Sequence, residues 1–302
     1  MTVNEERPGL LLLRDFAASP FALIGLVLVL AAGTIAVLAP WISPQNPYDI
    51  SQLDIMDARL PPGSGSGAGF TFLLGSDGQG RDMLSGIFYG LRLSLLVGVG
   101  SAAFAAVLGT SLGLLAAYAG GWVDSAVSRL VDLQLSFPSI LIALMILALL
   151  GRGDGNVILA LVLVEWAYYA RTARAAALAE RRREYIEAAE CLALPRWRIM
   201  FHHLLPNALP PLIVVLTTQV ARAITLEATL SFLGIGVPVT EPSLGLLIAN
   251  GYQYVLSGQY WISFFPGLAL LGTILGINLY PDSLRIRRAP LPSGAGRILS
   301  VS

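Results

Sequence analysis

Glu184-Tyr-Ile-Glu-Ala-Ala-Glu-Cys-Leu-Ala-Leu-Pro-Arg-Trp-Arg-Ile-Met-Phe-His-His-Leu-Leu-Pro206 is the longest polar interruption in the second half of a mostly apolar chain. Tyr185, Ala188, Ala189 and Leu192 fall at i, i+3, i+4 and i+7, which makes one apolar stripe on a helix. Two of the four are alanines, so the stripe is shallow and admits another backbone closely. Glu184, Glu187 and Glu190 surround it with negative charge. Pro195 biases Leu194 away from helical angles and itself suits the first position of a second helix. The spacing predicts helix, sharp turn, helix, then Pro206 before the next apolar run: a knuckle projecting from a membrane. The same pattern also suits a solvated amphipathic helix beside any membrane protein.

The flanking sequence supplies the membrane. The chain has 302 residues, 55% of them hydrophobic, and a mean hydropathy of +0.71, values that exclude a soluble domain. Six apolar stretches are long enough to cross. They are residues 21–39, 93–118, 138–150 extended back through Leu130, 157 to about 178, 209–234 and 262–280. The third places Asp132, Gln134 and Ser136 at membrane depth, and Pro138 predicts a kink. Gly109 and Gly113 have the small-xxx-small spacing of close helix packing. Residues 1–19 lack the pattern of a cleaved signal peptide. Residues 61–69, rich in Gly, Ser and Pro, read as a flexible linker, and residues 120–129 as a short connector. Tyr252, Tyr254, Tyr260 and Trp261 in the loop 235–261 suit a membrane interface.

Charge sets the orientation and narrows the chemistry. All nineteen basic residues are arginine. With the N-terminus inside, fourteen of them fall in cytoplasmic segments and four in outer ones, so both termini and the knuckle are expected in the cytoplasm. A phosphate-cradling P-loop needs a lysine, which this chain lacks, so any ATP and Mg are expected on partner subunits. The adjacent His202 and His203 point apart on a helix and read as an interfacial polar pair, not metal ligands. Cys191, the single cysteine, cannot form an internal disulfide and reads as small apolar filler.

Glu187-Ala188-Ala189, with Ala193 four residues after Ala189 and Leu205-Pro206 further on, resembles the "EAA" loop of ABC importer permeases. In that family the loop carries a coupling helix that docks into a groove on a cytoplasmic ATPase. The resemblance implies a coupling role for Tyr185, Glu187, Ala188, Ala189, Leu192, Ala193, Pro195 and Pro206. Ala193 stands where the family usually has Gly, so the turn is expected to rest on Pro195, since an Ala at positive φ costs about 1 kcal/mol. A second stretch, Leu74-Gly-Ser-Asp-Gly-Gln-Gly-Arg-Asp-Met-Leu-Ser85 followed by Tyr89-Gly-Leu-Arg-Leu-Ser94, resembles the signature of dipeptide, oligopeptide and nickel permeases, with Gln79 departing from the usual Leu. Glu227-Ala-Thr-Leu-Ser-Phe-Leu-Gly234 resembles that branch's motif at the outer end of its fifth span. Leu244 stands where the branch has Trp, and Pro281 where it has Gly.

The resemblance implies an all-α integral membrane protein with six transmembrane helices, built as a type I ABC importer (MetI-like) transmembrane domain with an extra N-terminal span and outer loop. Residues 1–92 would hold that first span and loop, 93–282 the transmembrane domain with its coupling loop at about 179–208, and 283–302 a cytoplasmic tail. It implies a non-catalytic permease subunit in a bacterial cytoplasmic (inner) membrane, importing peptides or nickel-chelate, opine or glutathione cargo. Its partners would be a homologous second permease, two ABC ATPases and an extracytoplasmic binding protein. No nucleic acid is expected. Charges inside spans are functional candidates because each is costly unless paired. Glu165 and Arg222 fall at similar depths and could pair or line the pathway, or either could snorkel or bond a backbone carbonyl. Glu227 could meet a peptide's amino terminus or serve a structural hydrogen bond. An ion-driven secondary transporter using these three as coupling groups is the rival reading.

Overall fold

A computed structural model describes residues 19–238 and 240–286, and within these the side chains of Ile50, Glu190 and residues 280–286 are excluded. The arginines at 7, 14, 287, 288 and 297, which contribute to the orientation argument, lie outside the described residues.

The first helix, α1 (Pro20–Ile42), is capped by Ser19, whose Oγ accepts from the Ala22 N–H. Its small residues Ala32 and Ala36 turn inward, and Val27, Leu30 and Val37 stay exposed, the pattern of a helix with lipid on its far side. It packs against α2 (Met83–Ala119), which at 37 residues starts ten residues earlier than apolarity alone predicts. Asp82 causes the early start, because its carboxylate caps the helix by accepting from the Ser85 N–H and Oγ. Residues 120–129 are not a connector. They open a helix, α3 (Gly121–Ser136), and α4 (Ser139–Leu150) follows.

The third predicted span is therefore broken, not kinked. α3 and α4 meet at Phe137–Pro138 with a bend of 94°. A proline alone permits either outcome. The break wins because α3 is bound along α5 (Asp154–Glu180): Arg171 pairs with Asp132 at 2.7 Å, and Arg174 pairs with Asp124 through two N–H groups. The Gln134 amide donates to the Leu163 carbonyl at 3.1 Å. These contacts hold α3 flat against α5, so the chain must turn sharply to continue.

α2 and α5 form the tightest pair. A Cβ at Gly109 would lie 2.8 Å from Tyr169 Cβ, and one at Gly113 would lie 2.9 Å from Ala173 Cβ, with backbone carbonyls closer still. The expected close helix packing is present. After α6 (Glu184–Cys191), a single 37-residue helix, α7 (Arg196–Phe232), unites the second helix of the knuckle with the fifth span. Pro206 does not end it. The preceding turn widens into a π-helical segment, Ile199–Leu204, so the Leu205 N–H reaches Met200 O and the proline's missing donor is absorbed. Within the loop 235–261 lies α8 (Leu244–Tyr252), capped by Ser243. α9 (Trp261–Ile286) completes the bundle against α1, α7 and α8.

Among the described residues four helices are individually long and apolar enough to cross a membrane, and the bent α3–α4 pair makes a fifth. α5 spans about 40 Å at 27 residues, but its charges lower its apolarity. Glu165 on this helix is buried among neighbouring helices, whereas Arg171 further along it stays exposed beside Asp132 of α3.

The Gly/Ser-rich stretch is ordered, contrary to the composition argument. Ser64–Gly65 (β1) pairs antiparallel with Thr71–Phe72 (β2), and Asp57 accepts from the Ser66 Oγ and the Gly67 N–H. Trp261 is buried within the protein, and its indole N–H donates to the Ser76 carbonyl at 3.2 Å.

Candidate coupling surface and transport pathway

Within the knuckle, α6 is fixed from one side. Ile186 and Ala189 are buried with Leu114 of α2, Ala177 of α5 and Ile199 and Leu204 of α7. The stripe predicted from spacing splits around this contact: Ala189 packs inward, and Tyr185, Ala188 and Leu192 face out. Leu192 is 74% exposed and Trp197 59%, with Phe201 beside them. Exposed large apolar side chains on a polar segment are a feature of docking faces. The Tyr185 hydroxyl donates to Glu180 at 2.8 Å and accepts from the Asn207 amide at 2.9 Å, joining the end of α5 to α7. Partial burial, then the bond to Glu180, raises that phenol above its ordinary value. Glu187 is exposed at the rim.

The turn does not rest on Pro195 alone. Ala193 takes φ +52°, the left-handed position usually given to Gly. The Leu194 N–H then bonds back to Ala189 O at 3.2 Å, closing the Schellman ring that ends α6. Pro195 is the N-cap of α7, one residue before the position expected. Cys191 is exposed, not filler. His202 packs edge-on to Trp197 and His203 lies near Tyr185, so the two do point apart. Among the described residues no cluster of His, Cys, Asp and Glu could hold a metal.

At the opposite end, the Leu74–Ser85 signature is a structural clasp. Gly80 at φ +77° lies where a Cβ would strike Asp54 O, and the Asp77 Oδ1 accepts from the Gln79 and Arg81 N–H groups. Gln79 contributes only its backbone there, which explains why its side chain can depart from the family pattern. Burial raises the carboxyls of Asp77 and Asp82. Leu244, in the family's Trp position, is fully buried beside Gly90.

The three intramembrane charges have different surroundings. Glu227 is 0% exposed and saturated: Ser94 Oγ donates to one oxygen at 2.9 Å and Ser231 Oγ to the other at 2.8 Å. Sequence reasoning missed Ser94, although it ends the Tyr89–Ser94 motif. Arg222 donates to Ser139 Oγ at 2.5 Å and lies 4.5 Å from the ring centroid of Tyr168. Glu165 is 0% exposed, and neither carboxyl oxygen has a hydrogen-bond partner. The two do not form an ion pair.

Fold and site together define a polytopic helical membrane protein with an exposed, partly apolar knuckle. Residues 109–285 match the model of the binding-protein-dependent transport system inner membrane component, and residues 8–62 match the N-terminal transmembrane domain of oligopeptide transport permease C. The chain belongs to the family of binding-protein-dependent transport inner membrane components. It is 37% identical to the dipeptide transport system permease protein DppC of Haemophilus influenzae, over 87% of this chain and 88% of that one. It is 38% identical to the di/tripeptide permease DppC of Pseudomonas aeruginosa, over 90% and 88%. The fold, with 22% identity and a TM-score of 0.56, is shared with a chain of the inward-facing MetNI methionine ABC transporter, over 67% of this chain and 95% of that one. The type I, MetI-like architecture with an added N-terminal span follows from these matches.

Proposed function

We propose that this chain is one of two homologous permease subunits that together enclose a pathway for di- and oligopeptides, driven by two cytoplasmic ABC ATPases and fed by an extracytoplasmic binding protein. Residues 93–282 form its transport core, with the coupling loop at about 179–208. Residues 1–92 add the first helix and outer loop, and 283–302 a tail. Both termini and the knuckle face the cytoplasm. ATP and Mg belong to the ATPases, and this chain performs no catalysis.

One observation carries the reading: the apolar residues Tyr185, Ala188, Leu192 and Trp197 of the knuckle are exposed, while Ile186 and Ala189 anchor α6 to three other helices. A face held so firmly passes on a force applied to it. ATP binding closes the ATPases, the knuckle follows, and α7 carries the displacement into the bundle. Glu187 and Ala193 shape the rim and turn of this face, and Pro195 and Pro206 set the start and bond pattern of α7. Glu227 acts as a structural brace, and Arg222 lines the pathway.

The test is Leu192→Glu in the reconstituted complex. A charge at the centre of the face is expected to lower peptide uptake and peptide-stimulated ATP hydrolysis by about tenfold, the effect of about 1.4 kcal/mol lost in docking. Uptake equal to wild type refutes the coupling role.

A further inference from the structure

The break between α3 and α4 lies at the level of Leu163–Tyr168 on α5, nine to fourteen residues from that helix's first residue. At 1.5 Å per residue this is about 14–21 Å from the loop end, the middle of a hydrocarbon layer about 30 Å thick. A twelve-residue helix thus begins at membrane depth. Its first internal bonds run from Leu141 and Ile142 to Pro138 O, leaving the N–H groups of Ser139 and Ile140 without helical partners.

A guanidinium sits at this positive helix end. A cation there is repelled by the helix dipole, so Arg222 and the α4 N-terminus do not stabilise each other. No carboxylate among the described residues lies within ion-pair distance of Arg222. Among the described residues the ion pairs are Arg171–Asp132, Arg174–Asp124 and Arg183–Glu180, none involving Arg222. Glu165 is the acid on which the Arg222 charge acts, yet it is fully buried and bonds to nothing. Of the five N–H groups on Arg222, one is spent on Ser139, and Tyr168 holds the guanidinium by its face. The rest of the planar fork is available, and a carboxylate is the group it matches. Arg222, Ser139 and Tyr168 are all partly exposed, and Phe137 and Leu141 beside the break are largely so.

We propose that Arg222, with Ser139 and the first N–H groups of α4, binds the C-terminal carboxylate of the peptide in transit; this rests on the peptide-importer reading above. The carboxylate is common to all linear peptides, so such a site holds cargo without reading its side chains. It supplies the anion that a broken helix with an adjacent arginine lacks.

The experiment uses the full transporter in proteoliposomes with its binding protein. A dipeptide and its C-terminal amide are each supplied at concentrations that saturate the binding protein, so that selection at that step drops out. Wild type is expected to move the free acid faster. Arg222→Gln is expected to slow the acid about tenfold, leave the amide within twofold and retain assembly with the ATPases, and Arg222→Lys to recover part of the loss. Ser139→Asp supplies a carboxylate beside the guanidinium and is expected to slow the acid selectively, which keeps the test decisive if Arg222→Gln fails to assemble. Equal slowing of acid and amide overturns the proposal and assigns Arg222 to an acidic residue of the second permease or to folding. No effect on either peptide overturns it too. A wild-type complex that moves neither peptide refutes the importer reading itself and the site with it.

Discussion

Gly109→Ala is expected to destabilise the bundle, although alanine is the better helix former. The added methyl would lie 2.8 Å from Tyr169 Cβ and closer still to the Trp166 carbonyl, where carbon atoms at rest need about 3.5 Å. α2 and α5 must part by about 1 Å over the turns flanking that point. Both backbones are rigid there, so a side-chain rotation cannot relieve the clash. Overpacking of this kind costs about 1–3 kcal/mol, against the 0.5–1 kcal/mol or so that Gly to Ala gains in a helix. The net is a loss of up to about 2.5 kcal/mol. Gly100→Ala on the same helix is the control: nothing lies within 4 Å of its Cβ, so only the gain applies and the sign reverses. Gly113→Ala repeats the clash against Ala170 and Ala173, one turn away. The double variant Gly109→Ala/Gly113→Ala should cost less than the two singles summed, because one parting of the helices serves both. Thermal or denaturant unfolding of the purified protein in detergent, followed by circular dichroism, measures all four. A Gly109→Ala protein as stable as Gly100→Ala would refute the packing argument.

Glu227→Ala leaves the hydroxyls of Ser94 and Ser231 facing an empty site and is expected to cost about 2–4 kcal/mol, read by the same unfolding assay, whereas Glu227→Gln keeps peptide uptake within about twofold. A large uptake defect in a stably folded Glu227→Gln protein would instead give the carboxylate a role with cargo. Ala193→Gly should strengthen the knuckle by up to about 1 kcal/mol by removing the Cβ from a left-handed residue, seen as slower hydrogen exchange at Leu192–Leu194. Glu241 meets the carboxyl of Asp154, and that contact, followed by burial, pushes it up from 4.5 to about 7. A raised carboxyl favours the folded state when protonated. Its contribution is full below about pH 4.5 and is lost as pH rises through about 7. Glu241→Gln should flatten stability across that window, and an unchanged pH profile contradicts the pairing.

The first, second, fifth and sixth expected spans and the position of the knuckle were legible because apolar length and the Glu187–Ala189 spacing are local properties. What was not legible depended on distant partners. Pro138 permits a kink or a break, and only the pairing of Asp124 and Asp132 with arginines of α5 decides it. A run of Gly and Ser reads as coil until Asp57 is seen to bind it. Ala193 was expected to avoid positive φ, but Ile186 and Ala189 on one side and Ile199 and Leu204 on the other demand that turn, and their burial outweighs the strain. The membrane depth of Glu165 and Arg222 could be counted along the spans. Their failure to meet could not, because Ser139 and Tyr168 reach the guanidinium from other helices.

The unbroken course of α7 from Arg196 to Phe232 has a mechanical consequence. Its far end is clamped where Gly245 lies against Ala228 and Gly98 against Ile224, contacts with no room for a methyl. Such a rod swings about the clamp. Trp197 lies about 46 Å along it from Ala228 and Arg222 only about 9 Å, so a 5 Å displacement of the knuckle end, roughly one helical pitch, moves the guanidinium by about 1 Å if the helix moves as a rod. On the coupling proposed above, lever arms of that ratio turn a large displacement at the knuckle into a small one at the guanidinium.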